Sequence, residues 1–332
     1  MKLNKVQISA YELIQSDARF LYTLIDIQRN AKRISSNYVM MCQPYIGIFT
    51  DGAEQWCRKV GLNAPCFNEK EREYYNALRQ GHKLLEKTYA EYTSLLMAKL
   101  EESDRYFYSK RSLYEKIHGY FNVGTDLCNG KYCGNTILGA AHTPFQLFGR
   151  EEAGLALKEL SVVAGKLAAF FDCKSFPPYL YDDEKNIVEF KDYHFFNKCP
   201  LNEKTDLGLV LFSILCNINY VTVFINDYFV EEIPQKFKYA YLQYYYLCDF
   251  IKEINKNKGL KLNIDISLQN REFRNCLAHY GLGQYLGESD IISSDVLKGL
   301  TKKAFGLEYD EAKCQLYKQL NNLSHQIQNT IF

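Results

Sequence analysis

The chain has 332 residues, 47% of them hydrophobic, and a formal net charge of +1. That length can bury an ample core in one large or two ordinary domains. So even a charge balance excludes a global electrostatic pull toward nucleic acid, and any anion site must be a local patch.

Residues 8–35 repeat apolar side chains at helical spacing (Leu13, Ile14, Phe20, Leu21, Leu24, Ile25) and predict a helix. Residues 36–67 carry Pro44, Gly47, Gly52, Gly61 and Pro65, which predicts loops with a short helix. Residues 68–118 are charged and periodic, a long helix or two with a break near Ser103–Asp104. Gly124 to Gly134 reads as a turn. EEAGLALKELSVVAGKLAAFF predicts a helix over 150–171 whose acidic start suits the helix dipole.

Pro177, Pro178 and Pro200 interrupt the pattern over 174–206, where NIVEF is a candidate short strand. This stretch is the expected boundary between a mostly helical domain, 1–200, and a second helical unit, 201–332. Four helices are predicted after it, near 207–230, 234–257, 266–281 and 309–330, with a Gly- and Ser-rich loop over 281–294. Pro234 suits a first helical turn. The fold class is therefore all-α.

The uncharged run LGLVLFSILCNINYVTVFIN, Leu207 to Asn226, is long enough to span a bilayer. Its asparagines are costly in lipid, which favours a buried helix. The Tyr-rich run from Tyr239 to Phe250 reads as half-buried helix faces with their hydroxyls in water rather than as a base-stacking platform.

Eleven cysteines without a CxxC pair read as free thiols of a reducing compartment. MKLNKVQISAYE has neither the basic start nor the apolar stretch of a signal peptide, so a cytoplasmic location without a membrane partner is expected. Cys128, Cys133 and His142 match no standard zinc spacing, and no metal or other cofactor is expected.

The chemistry concentrates in REFRNCLAHYGLG, Arg271 to Gly283. Arg274, Asn275 and His279 fall late in a helix, which Gly281 and Gly283 are expected to end. An Arg followed by a His at four to six residues arises by chance about 0.6 times in such a chain, and Arg111 with His118 also fits loosely. Adding the Asn lowers the chance to about 0.01. Asn275 and His279 share a helix face, whereas Arg274 is splayed from His279 by roughly 140°.

The Arg-Asn-x-x-x-His spacing resembles the signature of the HEPN superfamily, many of whose members are metal-independent endoribonucleases. The resemblance covers residues 201–332 and implies a four-helix bundle there. It implies cleavage of RNA, in single-stranded or loop regions, to a 2′,3′-cyclic phosphate and a 5′-hydroxyl. His279 would be the general base or acid, Arg274 the phosphate-binding guanidinium and Asn275 the orienting group. Arg271 and Tyr280 are further candidate substrate contacts. Asp227 and Asp249 are the candidates for an acidic helper.

One imidazole serves a reaction that wants both an acid and a base. A homodimer pairing two copies of the motif would supply both. Arg111 and His118 are an intramolecular alternative. The implied role is a toxin or antiviral-defence effector, with residues 1–200 sensing a trigger, binding RNA or burying the dimer site. The other reading is a non-catalytic HEPN module that binds a nucleotide or a protein partner.

Overall fold

The structure, a computed structural model, describes residues 3–143, 150–172, 176–184, 186, 188–292 and 295–332. The chain is predominantly helical. The first part runs α1 Lys5–Asn30, α2 Ser36–Met41, α3 Gln43–Lys59, α4 Glu69–His82, α5 Tyr89–Lys110 and α6 Leu113–His118. A hairpin follows, β1 Val123–Cys128 and β2 Lys131–Asn135, then α7 Thr136–His142, α8 Arg150–Phe170, β3 Val188–Tyr193 and α9 Phe195–Lys198. The last part holds α10 Asp206–Asn219, α11 Asn226–Tyr228, α12 Pro234–Lys258, α13 Arg271–His279, α14 Leu282–Tyr285, α15 Val296–Phe305 and α16 Tyr309–Ile331.

Several boundaries differ from those expected, each for a local reason. The stretch 36–67 is not mainly loop, because α3 occupies 43–59 and is buried along most of its length. Pro44 sits in its first turn, where a missing N–H leaves nothing unpaired. Gly47 and Gly52 mark close backbone approaches rather than turns. A Cβ on Gly47 would lie 2.3 Å from the Arg79 nitrogen and 2.6 Å from the Tyr75 carbonyl, both backbone atoms of α4.

Gly47→Ala must therefore push α3 and α4 apart. It is expected to cost about 1–3 kcal/mol in a denaturant melt. Gly165→Ala in α8, where a Cβ meets nothing within 4 Å, should be neutral or stabilising.

The charged segment breaks at 83–88, not at Ser103–Asp104. A single turn of tighter helix over 83–86 ends α4. Thr88 and Glu91 then form a reciprocal cap that starts α5. Ser103 lies inside α5 and donates to the Asn122 carbonyl at 2.6 Å.

The expected turn at 124–134 is a two-residue hairpin. Asn129 and Gly130 take φ of 50° and 75°, the left-handed pair that joins antiparallel strands. Of the expected NIVEF strand, Val188 to Phe190 lie in β3, which pairs antiparallel with β1, giving the sheet order β2-β1-β3. Residues 174–175, 185, 187 and 293–294 of the two expected irregular stretches lie outside the described residues.

The apolar run forms α10, a wider helical turn over 220–225 and α11. It is long and apolar enough to cross a bilayer, and its most apolar 18-residue stretch is buried within the protein. α12 starts at Pro234 and ends at Gly259, which takes φ 67°. α15 was not expected; Asp295 caps its start.

The aromatic run on α12 is more deeply placed than half-buried faces. Tyr239, Tyr241 and Tyr244 are fully buried. The hydroxyls of Tyr241 and Tyr244 donate to the Leu268 and Asp265 carbonyls at 2.8 and 2.6 Å, not to water. The apolar core continues across position 200, with α1 and α3 packed on α12 and α13 and β2 on α10.

Candidate active site

α13 is short because both its ends are fixed. The Asn270 side chain accepts from the Phe273 N–H at the start. At the other end Tyr280, not a glycine, takes the left-handed turn, with φ 51° and ψ 33°. Gly52 sets the depth of that end. A Cβ there would lie 2.9 Å from the Ala278 carbonyl and 3.1 Å from the Tyr280 ring. Only a glycine lets α3 approach the last turn of α13 so closely, and the approach brings His279 to the neighbourhood of Asp51.

Tyr280 anchors this end from inside. Its hydroxyl donates to Asp17 Oδ2 of α1 at 2.5 Å, and its side chain is buried. Asp17 also accepts from Gln235 Nε2 at 2.9 Å and from the Lys238 ammonium, both on α12. The Lys238 ammonium lies 3.8 Å from the centroid of the Phe49 ring on α3 and 4.4 Å from that of Tyr280. Asp17 and Lys238 are wholly buried, so four helices meet at one ion pair beneath the motif. The expected role of Tyr280 as a substrate contact is therefore corrected: its ring and hydroxyl face the core.

His279 is half-buried at the end of α13. Burial first, then the positive charges of Arg79, Arg274 and Lys83, hold its imidazole below the ordinary value, while Asp51 pulls the other way. Arg79 on α4 pairs with Asp51 at 2.8 Å. Arg274 Nη1 donates to Asn275 Oδ1 at 2.9 Å. The Arg274 guanidinium stands 5.1 and 5.5 Å from the Tyr245 and Tyr246 ring centroids, and its Nη2 is 4.0 Å from Glu86. Arg274 thus turns toward α12 rather than onto its own His, as the angle along the helix requires, yet stays close enough to act on the imidazole's charge.

A groove of about 390 Å³ opens beside Arg274. Tyr245, Phe250 and Glu86 line it, together with Asp249 and Glu253. Of the two candidate acidic helpers, Asp249 borders this groove. Its carboxylate accepts from Lys252 at 3.3 Å and Gln269 at 3.0 Å. Asp227 is exposed and accepts from Asn226 at 2.8 Å, one residue before it.

Arg271 is exposed at the first position of α13, about 12 Å along the helix axis from His279. Arg111 and His118 make their contacts elsewhere: Arg111 with Glu115 and Phe107, His118 with the Tyr114 ring and carbonyl.

Cys128 and Cys133 are buried near one another, whereas His142 borders a small cavity beside Pro44 and Gly81. Among the described residues no three His, Cys, Asp or Glu side chains converge as a metal ion would require.

Sequence reasoning missed Asp51, Arg79, Lys83 and Glu86, all from the first half of the chain. The one signal available was Arg79 and Lys83 at a spacing of four, which places both on one helix face. Comparison of the chain with models of known protein families, with curated proteins and with solved structures finds no significant match.

Proposed function

We propose that the protein is a metal-independent endoribonuclease with a HEPN-like C-terminal part. The observation that carries this reading is a half-buried imidazole on the motif helix, held below its ordinary pKa by burial first and then by the charges of Arg79, Arg274 and Lys83. Such an imidazole favours its neutral form, the form that can accept a proton, and the cations around it suit a phosphate.

In the proposed reaction His279 takes the proton of a ribose 2′-hydroxyl. The 2′-oxygen bonds to the adjacent phosphorus, and the bond from phosphorus to the 5′-oxygen breaks. Arg274 and Arg79 hold the charge that gathers on the non-bridging oxygens. The leaving 5′-oxygen takes a proton from the other copy's His279 in a two-fold dimer, which enters the cycle as the imidazolium, so that the pair starts with one neutral and one protonated ring and ends with the two exchanged. The ring of Tyr245 lines the groove beside Arg274 and suits stacking of the base next to the cut. Ten free cysteines among the described residues fit a reducing compartment and so a cytoplasmic effector of toxin or antiviral type.

Purified protein with EDTA should cut single-stranded RNA to 2′,3′-cyclic phosphate ends and leave the same sequence in DNA intact. His279→Ala and Arg274→Ala are each expected to slow cleavage roughly 100- to 1000-fold. RNA that stays intact with wild-type protein rejects the nuclease reading and favours a nucleotide- or protein-binding module. Full activity from a strict monomer in sedimentation rejects the shared site alone.

A further inference from the structure

We propose that α6 and its flanks dock this protein on an anionic lipid surface. The helix buries no residue. Leu113, Tyr114 and Ile117 are 75, 70 and 70% exposed, an unusual placement for three large apolar side chains on one short helix. Leu113 and Ile117 are one turn apart on the same face. Tyr108 and Phe121, each about half exposed, extend the ridge at either side. Lys116 lies 4.5 Å from the Tyr108 ring centroid, which holds α6 against the end of α5. The reciprocal cap between Ser112 and Glu115 keeps the short helix wound.

Charge selects the occupant. Lys110, Arg111 and Lys116 lie in and beside α6, and Lys198 reaches over from α9 to donate to the His118 carbonyl at 3.0 Å. The acid on α6 is Glu115, whose carboxylate accepts from the Ser112 N–H and hydroxyl and pairs with Arg111 at 3.5 Å, which leaves Lys110, Lys116 and Lys198 in excess. In a chain of net charge +1 this is a local positive rim around an apolar tip.

A second copy paired by two-fold symmetry would set these cations against themselves. RNA offers negative charge and base faces that stack on aromatic rings, but no acyl-like surface to take up the aliphatic Leu113 and Ile117. A bilayer with anionic headgroups offers both, with the apolar side chains among the acyl chains and the cations at the phosphates.

The full-length protein should float with phosphatidylcholine vesicles containing phosphatidylglycerol and much less with phosphatidylcholine alone. Leu113→Glu with Ile117→Glu, and separately Lys110→Glu with Lys116→Glu, should each lower bound protein roughly tenfold or more. These side chains are exposed or half-exposed, so an unchanged melting curve separates lost docking from lost fold. The variants leave His279 and Arg274 intact, so the result is independent of RNA cleavage. The proposal fails if wild type ignores anionic vesicles, or if the variants bind them as well as wild type. It also fails if the apolar variants instead abolish self-association or RNA binding while lipid binding persists.

Discussion

Lys238→Ala should lower the stability of the folded chain by about 3–5 kcal/mol, the largest single-site loss expected here. The substitution leaves the Asp17 carboxylate buried with Gln235 and Tyr280 as donors and no counter-charge. Burial holds the pKa of the Lys238 ammonium below its ordinary value, and Asp17 offsets that only in part. The pair is therefore worth little in itself, while a broken pair is expensive. Asp17→Leu combined with Lys238→Met should recover most of the loss, because two apolar side chains leave no orphaned charge. Chemical denaturation of both variants measures this. A single Lys238→Ala that unfolds at the wild-type midpoint would contradict the burial of the pair.

A second large effect follows from pH. His142 is fully buried at the end of α7, and burial alone lowers its pKa from 6.5 to about 4. The folded state thus resists a proton that the unfolded chain accepts. Stability is complete above the unfolded value, falls as pH drops from about 6.5 toward 4, and stays low beneath that. The span corresponds to about 3 kcal/mol. His279 is shifted in the same direction and adds to the slope. Urea melts at near-neutral and mildly acidic pH should show the loss, and His142→Gln should flatten it even though the variant starts lower at neutral pH.

What the sequence discloses and what it hides divide along a physical line. α12 and α16 were legible because their signals are local: Pro234 at the start of one, and helical periodicity through both. The motif helix was legible for the same reason, although it starts at Arg271 rather than near 266 and its last turn rests on a different residue. Gly281 and Gly283 looked like the stop, yet Tyr280 makes the turn because Asp17, far away in the chain, holds its hydroxyl.

α3 was hidden because glycine has two uses. Gly47 and Gly52 read as breakers, but they serve contacts with α4 and α13 that no local window contains. Arg79 and Asp51 were missed for a related reason. Their meaning lies in nearness to His279, which spacing along a chain cannot express when some 200 positions intervene. The exposed ridge on α6 was hidden too, since Leu113 and Ile117 at helical spacing look like core until a fold shows nothing over them.

The ion pair beneath the motif joins residues 221 positions apart, and its tyrosine lies 263 positions from the same aspartate. Gln235, Lys238 and Tyr280, the partners that meet Asp17 from α12 and the end of α13, each come from more than 200 positions later in the sequence. A fragment that stops short of Lys238 and Tyr280 leaves Asp17 without its counter-charge and cannot seat His279, however well its early helices have formed.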